Sequence, residues 1–271
     1  MRKYLFYMLS LFIATTSFAY EDLDMDGVED KIDRCPNTSF NDLVDIRGCA
    51  IKSLTYEEHF DVIVGVNYSD SDYRILSQTD TFSTSVQADY YYKDFSFQAY
   101  TSYFTTADHD NPESGLYDSF LGVYYKEKLS DSLFASVGTG IFLPTYETSL
   151  HNNNADYILS LNLSYAIEDM NIFGGYAYTL INDDDVKGVV SYQNTKALSV
   201  GLGYYIDSNL YMSVAYNATN SIYRGEEDMR TLSFYANYTI DANWFSMFTY
   251  ARGLSDSAIN NYASIRLGYY F

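Results

Sequence analysis

The sequence predicts an all-β chain that forms a transmembrane antiparallel up-and-down β-barrel of about 12 strands, preceded by a small calcium-binding loop module. Three observations carry this prediction. Apolar and polar residues alternate within segments from about Phe60 to the C-terminus. The connections between these segments are short and long in turn. The 271 residues also include 31 Tyr and 17 Phe, which favour strands, and Tyr suits the boundary between membrane and water.

Residues 1–19 have the pattern of a secretory signal peptide. Arg2 and Lys3 give a basic start, residues 5–14 are apolar, and Ser17 and Ala19 supply the small residues that a signal peptidase reads. A buried N-terminal helix is the weaker alternative. No later run reaches the roughly 18 apolar residues that a membrane helix needs, so the exported chain is expected to be either soluble or a membrane β-barrel.

The segment DLDMDGVEDKID has the spacing of a calcium-binding loop. Carboxylates at alternate positions converge on one hard cation, a glycine permits the sharp turn, and the backbone carbonyl of Val28 adds an oxygen. The last ligand position holds an Asp where Glu is usual, and its shorter side chain leaves the calcium affinity open. A solvated acidic linker is the alternative interpretation. The predicted loop residues are Asp22, Asp24, Asp26, Gly27, Asp30 and Asp33.

Residues 22–49 resemble a thrombospondin type 3 repeat of the bacterial envelope kind. The matching pattern is D-x-D-x-D-G-V-x-D-x-x-D-x-C-P, followed by VDIRGC, which ends at Cys49. The resemblance implies a calcium-ordered module over residues 20–55 with a Cys35–Cys49 disulfide, although a single repeat is present where such repeats usually occur in tandem. Two cysteines 14 positions apart in an exported chain also suit an oxidising compartment, and closing such a loop is worth about 3 kcal/mol.

Residues 56–271 form the predicted barrel domain, because period-two alternation recurs throughout them. In FDVIVGVNY, Phe60, Val62 and Val64 begin an apolar face, whereas Asp61 and Gly65 lie on the other face. In DYILSLNLSYAI, the same rule separates Leu, Tyr and Ile from Ser and Asn. The predicted strands lie at roughly 60–68, 82–92, 95–104, 116–128, 133–144, 156–167, 171–181, 195–206, 210–222, 230–240, 244–252 and 260–271.

Connections of two kinds alternate along the chain. Short ones include Lys93-Asp94 and Glu168-Asp169-Met170, and longer acidic ones include NDDDVKGVVSYQN and RGEEDM. An even number of roughly ten-residue strands with this asymmetry is typical of a bacterial outer-membrane barrel. Closure pairs the backbone groups, as lipid requires, and the apolar faces then point outward. A soluble β-sandwich with those faces turned inward is the weaker alternative.

The chain ends in SIRLGYYF, in which alternation places Ile265, Leu267, Tyr269 and Phe271 on one face. This ending resembles the C-terminal signal of bacterial outer-membrane proteins that are delivered to the barrel-assembly machinery.

Aromatic residues near strand ends are predicted to form girdles where the barrel meets the membrane surfaces. The predicted girdle residues include Tyr68, Phe104, Tyr165, Tyr204 and Phe245.

The face opposite the apolar one would line the lumen, and it carries mostly Ser, Gly, Asn, Gln and Thr. Eight strands fill their own interior and sixteen leave an open channel, so 12 strands are intermediate. A narrow aqueous passage and a lumen plugged by side chains or a loop are both compatible with this face. The charged candidates are Asp61, Asp89 and Arg266, and the large ones are Tyr100, Phe134, Phe142, Tyr205 and Tyr235.

These features predict a porin-like passive channel for small cationic or neutral solutes, without catalytic residues. The acidic loop segments DHD, NDDD and GEED would concentrate cations at the mouth. A non-conducting structural or adhesive protein, whose loops share divalent cations with lipopolysaccharide, is the alternative. A lipid hydrolase is less favoured because His59 precedes the first predicted strand, and His109 and His151 fall in loops, so none stands on a strand beside a Ser.

An even strand number places both barrel termini in the periplasm, so the calcium module would lie beneath the barrel in a Gram-negative envelope. Ca²⁺ is the one predicted cofactor. The predicted partners are outer-membrane lipid and lipopolysaccharide, the barrel-assembly machinery, and peptidoglycan or a periplasmic protein. A formal net charge of −20 argues against a nucleic-acid partner.

Overall fold

The structure is a computed structural model that describes Arg34 and residues 58–71, 79–107, 113–147 and 151–271. The chain divides into two units, Met1–Tyr56 and Glu57–Phe271, and the second contains the strands. The predicted signal peptide, the predicted calcium loop over residues 22–33, and both Cys35 and Cys49 lie outside the described residues. Within the described ranges, no helix is long and apolar enough to cross a membrane.

All regular secondary structure in the described residues is β-strand, as the alternating pattern predicts. Most strands run for 10 to 14 residues, which is the length that crosses a bilayer at a tilt. The strands are β1 (Glu58–Ser71), β2 (Thr79–Tyr92), β3 (Phe95–Thr106), β4 (Ser114–Leu116), β5 (Ser119–Lys128), β6 (Leu133–Leu143), β7 (Asp156–Ile167), β8 (Met170–Leu180), β9 (Thr195–Tyr205), β10 (Leu210–Thr219), β11 (Met229–Thr239), β12 (Trp244–Gly253) and β13 (Asn261–Tyr270).

The sheet closes on itself, which confirms the predicted antiparallel barrel. Strands that follow each other in the chain pair antiparallel, apart from β4 and β5, and β1 pairs with β13 from Asp61↔Tyr270 to Asp70↔Asn261. Strands β4 and β5 both pair with β3, so they are two parts of one barrel strand interrupted at Tyr117 and Asp118. The 13 strand segments therefore make a 12-stranded barrel, and the single strand predicted over 116–128 is divided in two.

The two ends of the barrel differ. The short connections lie at the end where β1 starts and β13 stops, called here the turn end, and the longer connections lie at the opposite loop end. At the turn end the backbone N–H of Phe271 donates to the carbonyl of Phe60. Lys93 and Glu168 adopt φ angles of 52° and 51°, the left-handed conformation that two-residue hairpin turns require.

The register places the apolar residues on the outer face. Val66 and Leu159 have exposed fractions of 59% and 58%, whereas the neighbouring inward residues Asn67 and Ser160 are less exposed. No described side chain is buried below 2% exposure, so the described part of the chain holds no dense common core. The sandwich alternative is therefore wrong, because it would bury the faces that this barrel exposes.

Two of the predicted girdle residues are misplaced. Phe104 and Phe245 are buried at inward positions, whereas Tyr165 and Tyr204 are exposed on the outer face as predicted. Phe245 packs with Ile63 and Met247 in a small apolar cluster inside the barrel. The physical reason is the register, because strand parity at these positions points the rings toward the lumen.

His59 is a further correction, since it lies within β1 rather than before the first strand. Its ring stacks on the ring of Tyr91 at 4.2 Å between centroids, and the register turns both residues inward.

Candidate functional site: the barrel lumen

The strand register brings the predicted lumen residues to the inner face. Asp61 lies opposite both Asp89 and Tyr270, and Arg266 lies opposite Gly65 and Met247. The rest of the inner face is mostly small and polar, and it includes Ser85, Ser102, Ser160, Asn162, Gly175, Ser199, Gly201, Ser213 and Ser233. The larger predicted lumen residues Tyr100, Phe134, Phe142, Tyr205 and Tyr235 also occupy inward register positions.

A group of inward polar side chains, called here the carboxylate wall, consists of the hydrogen-bonded residues Gln87, Asp89, Gln98 and Arg266 together with Asp61, which lies opposite Asp89. Gln87 Nε2 donates to Asp89 Oδ2 at 2.7 Å, and Gln98 Nε2 donates to the other oxygen, Oδ1, at 3.1 Å. Arg266 Nη1 donates to Gln87 Oε1 at 3.3 Å. Both oxygens of Asp89 are therefore satisfied by neutral amides, and the arginine reaches the cluster through Gln87.

Asp61 differs from Asp89 in its hydrogen bonding. It is almost fully buried, and its Oδ1 accepts no hydrogen bond from any described residue. A buried carboxylate oxygen without a donor is costly, because desolvation is not repaid by a hydrogen bond. Gln87 and Gln98 were not predicted as partners of this site, although their inward positions on β2 and β3 could have identified them.

Glycines on the inner face let large neighbouring side chains lie flat against the wall. A Cβ at Gly203 would overlap the hydroxyl of Tyr211, and a Cβ at Gly140 would overlap the ring of Phe120. The ring over a glycine lies beside the strand instead of projecting toward the barrel axis, so space remains at the centre. The same relationship joins Gly138 with Tyr124, Gly201 with Phe173, Gly268 with Phe245 and Gly65 with Arg266.

A cavity of about 370 Å³ occupies the lumen toward the loop end. Its lining comes from strands β7 to β13 and from the β12–β13 connection, and it includes Asn162, Ser199, Asn217 and Ala258. Asn162 lies in the middle of β7 and faces inward, yet it is exposed. A lumen filled by its own side chains would bury a residue at that position.

The acidic segment NDDD is held by hydrogen bonds to the loop before β7 and within its own connection. Asp183 Oδ1 accepts a 2.7 Å hydrogen bond from the backbone N–H of Asn154, and burial raises the pKa of Asp183. Hydrogen bonds from the backbone of Tyr192 and the hydroxyl of Ser191 lower the pKa of Asp185. Within the described ranges, no three His, Cys, Asp or Glu residues form a group that could hold a metal ion.

Neither of the two described histidines is placed as a base on the outer wall. His59 faces the lumen beside Tyr91, and His151 lies in the connection before β7. His109 is outside the described residues. The geometry of His59 and His151 therefore gives no support to a lipid-facing hydrolase.

The barrel is similar in fold to solved outer-membrane proteins. An outer membrane channel from Pseudomonas putida F1 superposes with a TM-score of 0.66 at 11% identity, over 79% of this chain and 95% of that one. The NanC porin gives 0.54 at 18% identity, over 78% of this chain and 98% of that one. The translocator domain of the autotransporter NalP from Neisseria meningitidis gives 0.50 at 10% identity, over 78% and 88%.

No protein-family profile matches the chain, and no curated protein matches it in sequence. At these low identities the likeness to solved structures shows the fold alone. The chain has the fold of the outer-membrane β-barrel channels.

Proposed function

We propose that the protein is a porin-like passive channel of the bacterial outer membrane for small neutral or cationic solutes. The observation that carries the proposal is the exposure of Asn162, an inward side chain in the middle of a barrel strand. The flat arrangement of rings over inner glycines, such as Tyr211 over Gly203, supports it by keeping large side chains away from the axis. Passage through such a lumen requires no conformational cycle and no cofactor.

The charges of the inner wall support the choice of solutes. A channel for anions needs basic side chains along its path, because each one offsets the cost of stripping water from the anion. Here Arg266 is linked to Asp89 through Gln87, and the two other described inward basic residues, Lys126 and Lys128, lie at the turn end. The formal net charge of −20 adds to the attraction for cations at the mouth.

Planar-bilayer recording tests the proposal. The refolded protein is expected to insert with stepwise conductance and to show a reversal potential that favours K⁺ over Cl⁻ in a salt gradient. Asn162→Trp should lower the conductance because the ring enters the lumen, whereas Leu161→Trp, one residue away on the outer face, should not. A barrel without conductance would instead favour the non-conducting structural role. Equal currents from both variants would mean that ions do not pass beside Asn162.

The calcium module is proposed on the basis of its sequence alone. Residues 22–33 are proposed to bind Ca²⁺ and to order a module in the periplasm, closed by the Cys35–Cys49 disulfide. Calorimetric titration of the full-length protein with Ca²⁺ tests this. Heat of binding is expected from the native protein and not from an Asp24→Ala, Asp26→Ala variant, and identical traces would remove the module from the proposal.

Assembly and partners are proposed on similar grounds. Ile265 and Leu267 are exposed on the outer face, and Phe271 follows the last strand with its ring exposed, which suits a C-terminal signal for the barrel-assembly machinery. Outer-membrane lipid and lipopolysaccharide are the proposed surroundings of the barrel. Peptidoglycan or a periplasmic protein is the proposed contact of the N-terminal module.

A further inference from the structure

We infer that the loop-end cavity is a binding site for an uncharged small molecule with one hydrogen-bonding edge and one apolar face. The cavity holds about 370 Å³, which lies within the range of roughly 300–1,000 Å³ found for small-molecule sites. This inference deepens the proposed channel function and rests on it for its physiological meaning, because it names the class of solute that pauses in the lumen.

The lining of the cavity carries no formal charge. The chain contains 36 Asp and Glu and 16 Lys and Arg residues, yet none of the side chains that line this cavity is among them. An ion that leaves water for such a site loses several kcal/mol of solvation unless an opposite charge repays it. An uncharged molecule therefore binds at this site at lower cost than an ion, although ions can still pass through the hydrated lumen.

Three polar side chains of the cavity lining have unused hydrogen-bonding capacity. Asn217 Nδ2 donates to Ser233 Oγ at 3.0 Å and to Thr231 Oγ1 at 3.4 Å, which leaves its carbonyl oxygen as an acceptor. The amide of Asn162 and the hydroxyl of Ser199 make no hydrogen bond with the described residues. A ligand with hydroxyl or amide groups would pair with these three side chains, which supply both donors and acceptors.

Another part of the cavity lining is apolar and built mostly from small residues. Ala177 lies opposite Ala197 in the β8–β9 ladder, and Ala251 approaches from β12. The β12–β13 connection contributes Ala258, which is buried, and Ile259. Alanines leave the volume empty while presenting methyl groups, so a ligand gains hydrophobic contact on this side.

Calorimetry on the detergent-solubilised full-length protein tests the site with three probes that share one ring: glucose, glucosamine and glucuronate at pH 7. Glucose, which has a hydroxyl edge and an apolar ring face, is expected to bind, and the two charged sugars are expected to bind at least tenfold more weakly. Ala177→Phe, which fills the cavity, should abolish glucose binding. Leu161→Phe adds a ring to the outer face of the adjacent strand, so it serves as the matched control and should bind like the native protein.

A second variant keeps the site testable if Ala177→Phe does not fold. Asn217→Leu keeps the approximate side-chain volume, removes the amide, and should weaken glucose binding while the far-UV circular dichroism stays native. Equal affinity for the three sugars, no heat with glucose, or binding unaffected by both cavity variants would overturn the inference. Bilayer recording separates this result from the channel proposal. A silent barrel that binds glucose contradicts only the channel, and a conducting barrel that does not bind it contradicts only the site.

Discussion

Asp61 lies directly opposite Asp89 in the β1–β2 ladder, and both carboxylates face the lumen with exposed fractions of 4% and 5%. Side chains at directly opposite positions of an antiparallel pair approach closely, and like charges there destabilise the sheet. Gln87 and Gln98 donate to Asp89, whereas Oδ1 of Asp61 has no donor among the described residues. The two carboxylates are therefore not equivalent, although the sequence alone presents them as a matched pair.

The first prediction follows from this difference. Asp89→Asn should lower the free energy of unfolding by about 1–3 kcal/mol, because an amide cannot accept from both glutamines. Asp61→Asn should leave that free energy unchanged or higher, since it removes a like charge and an unpaired oxygen. Urea titration in detergent measures both, and a larger loss from Asp61→Asn than from Asp89→Asn would contradict the assignment. Both variants should also reduce the preference for K⁺ over Cl⁻.

The second prediction concerns the rings that lie over glycines. Gly203→Ala should push the Tyr211 ring off the wall, cost about 1–3 kcal/mol of stability and lower the single-channel conductance. Gly174→Ala is the control, because its Cβ would point outward and lie 3.3 Å from the backbone oxygen of Ser199. If the conductance of the two variants were the same, the flat ring would have no part in keeping the lumen open.

The third prediction tests which face meets lipid. Leu161→Arg in the middle of β7 should destabilise the barrel in liposomes by about 2–4 kcal/mol, the cost of a cation at the bilayer midplane. Asn162→Arg places the same group in the lumen and should cost much less. Unfolding in urea from lipid vesicles gives both values. A reversed order would mean that the faces have been assigned to the wrong sides.

The fourth prediction concerns the last residue. The Phe271 ring lies 4.7 Å from that of Tyr269 and 5.8 Å from that of Phe60, measured between centroids, and it is largely exposed. Phe271→Ala should therefore change spontaneous refolding into detergent only slightly. It should strongly reduce the rate of insertion into vesicles that contain the barrel-assembly machinery. Equal insertion rates for the native protein and the variant in those vesicles would show that Phe271 is not part of an assembly signal.

The fifth prediction is a pH dependence at the loop end. The pKa of Asp185 is lowered by hydrogen bonds from the backbone of Tyr192 and from Ser191, so its carboxylate stabilises the folded loop above the ordinary aspartate pKa of about 3.9. That contribution is lost as the pH falls through the lowered value. Limited proteolysis of the 185–192 segment should therefore accelerate in strong acid. Asp185→Asn should show fast cleavage already at pH 7, and a pH-independent rate in the native protein would contradict the contact.

The sequence was sufficient to predict the barrel strands because alternation is imposed by two different solvents on the two faces of each strand. Strand β7 was predicted at its observed limits, and most other strands within three residues. The division at Tyr117 and Asp118 was not predicted. The pairing with β3 shifts by one residue there, so Leu116 and Leu121 both lie on the outer face although their positions differ by an odd number.

The inner face was predictable in composition but not in detail. Trp244 and Phe245 are adjacent aromatics, and either one could have faced lipid. The choice depends on Gly268, which lies across the β12–β13 ladder and leaves room for the Phe245 ring. The cavity is lined by residues from seven strands, which come together only when the sheet curves into a barrel, so no local sequence pattern predicts it.

The β1–β13 seam has a consequence for biogenesis. Ser264 Oγ donates to Asn67 Oδ1 at 2.6 Å across 197 residues, and Asn261 donates to Asp70 at 2.7 Å across 191 residues. No other neighbouring strands are so distant in sequence, and the entropy of closing a loop grows with its length, so this seam should be the last to form. Until it does, the sheet has two unpaired edges that can pair with other chains, so we expect the nascent protein to need a chaperone that covers them.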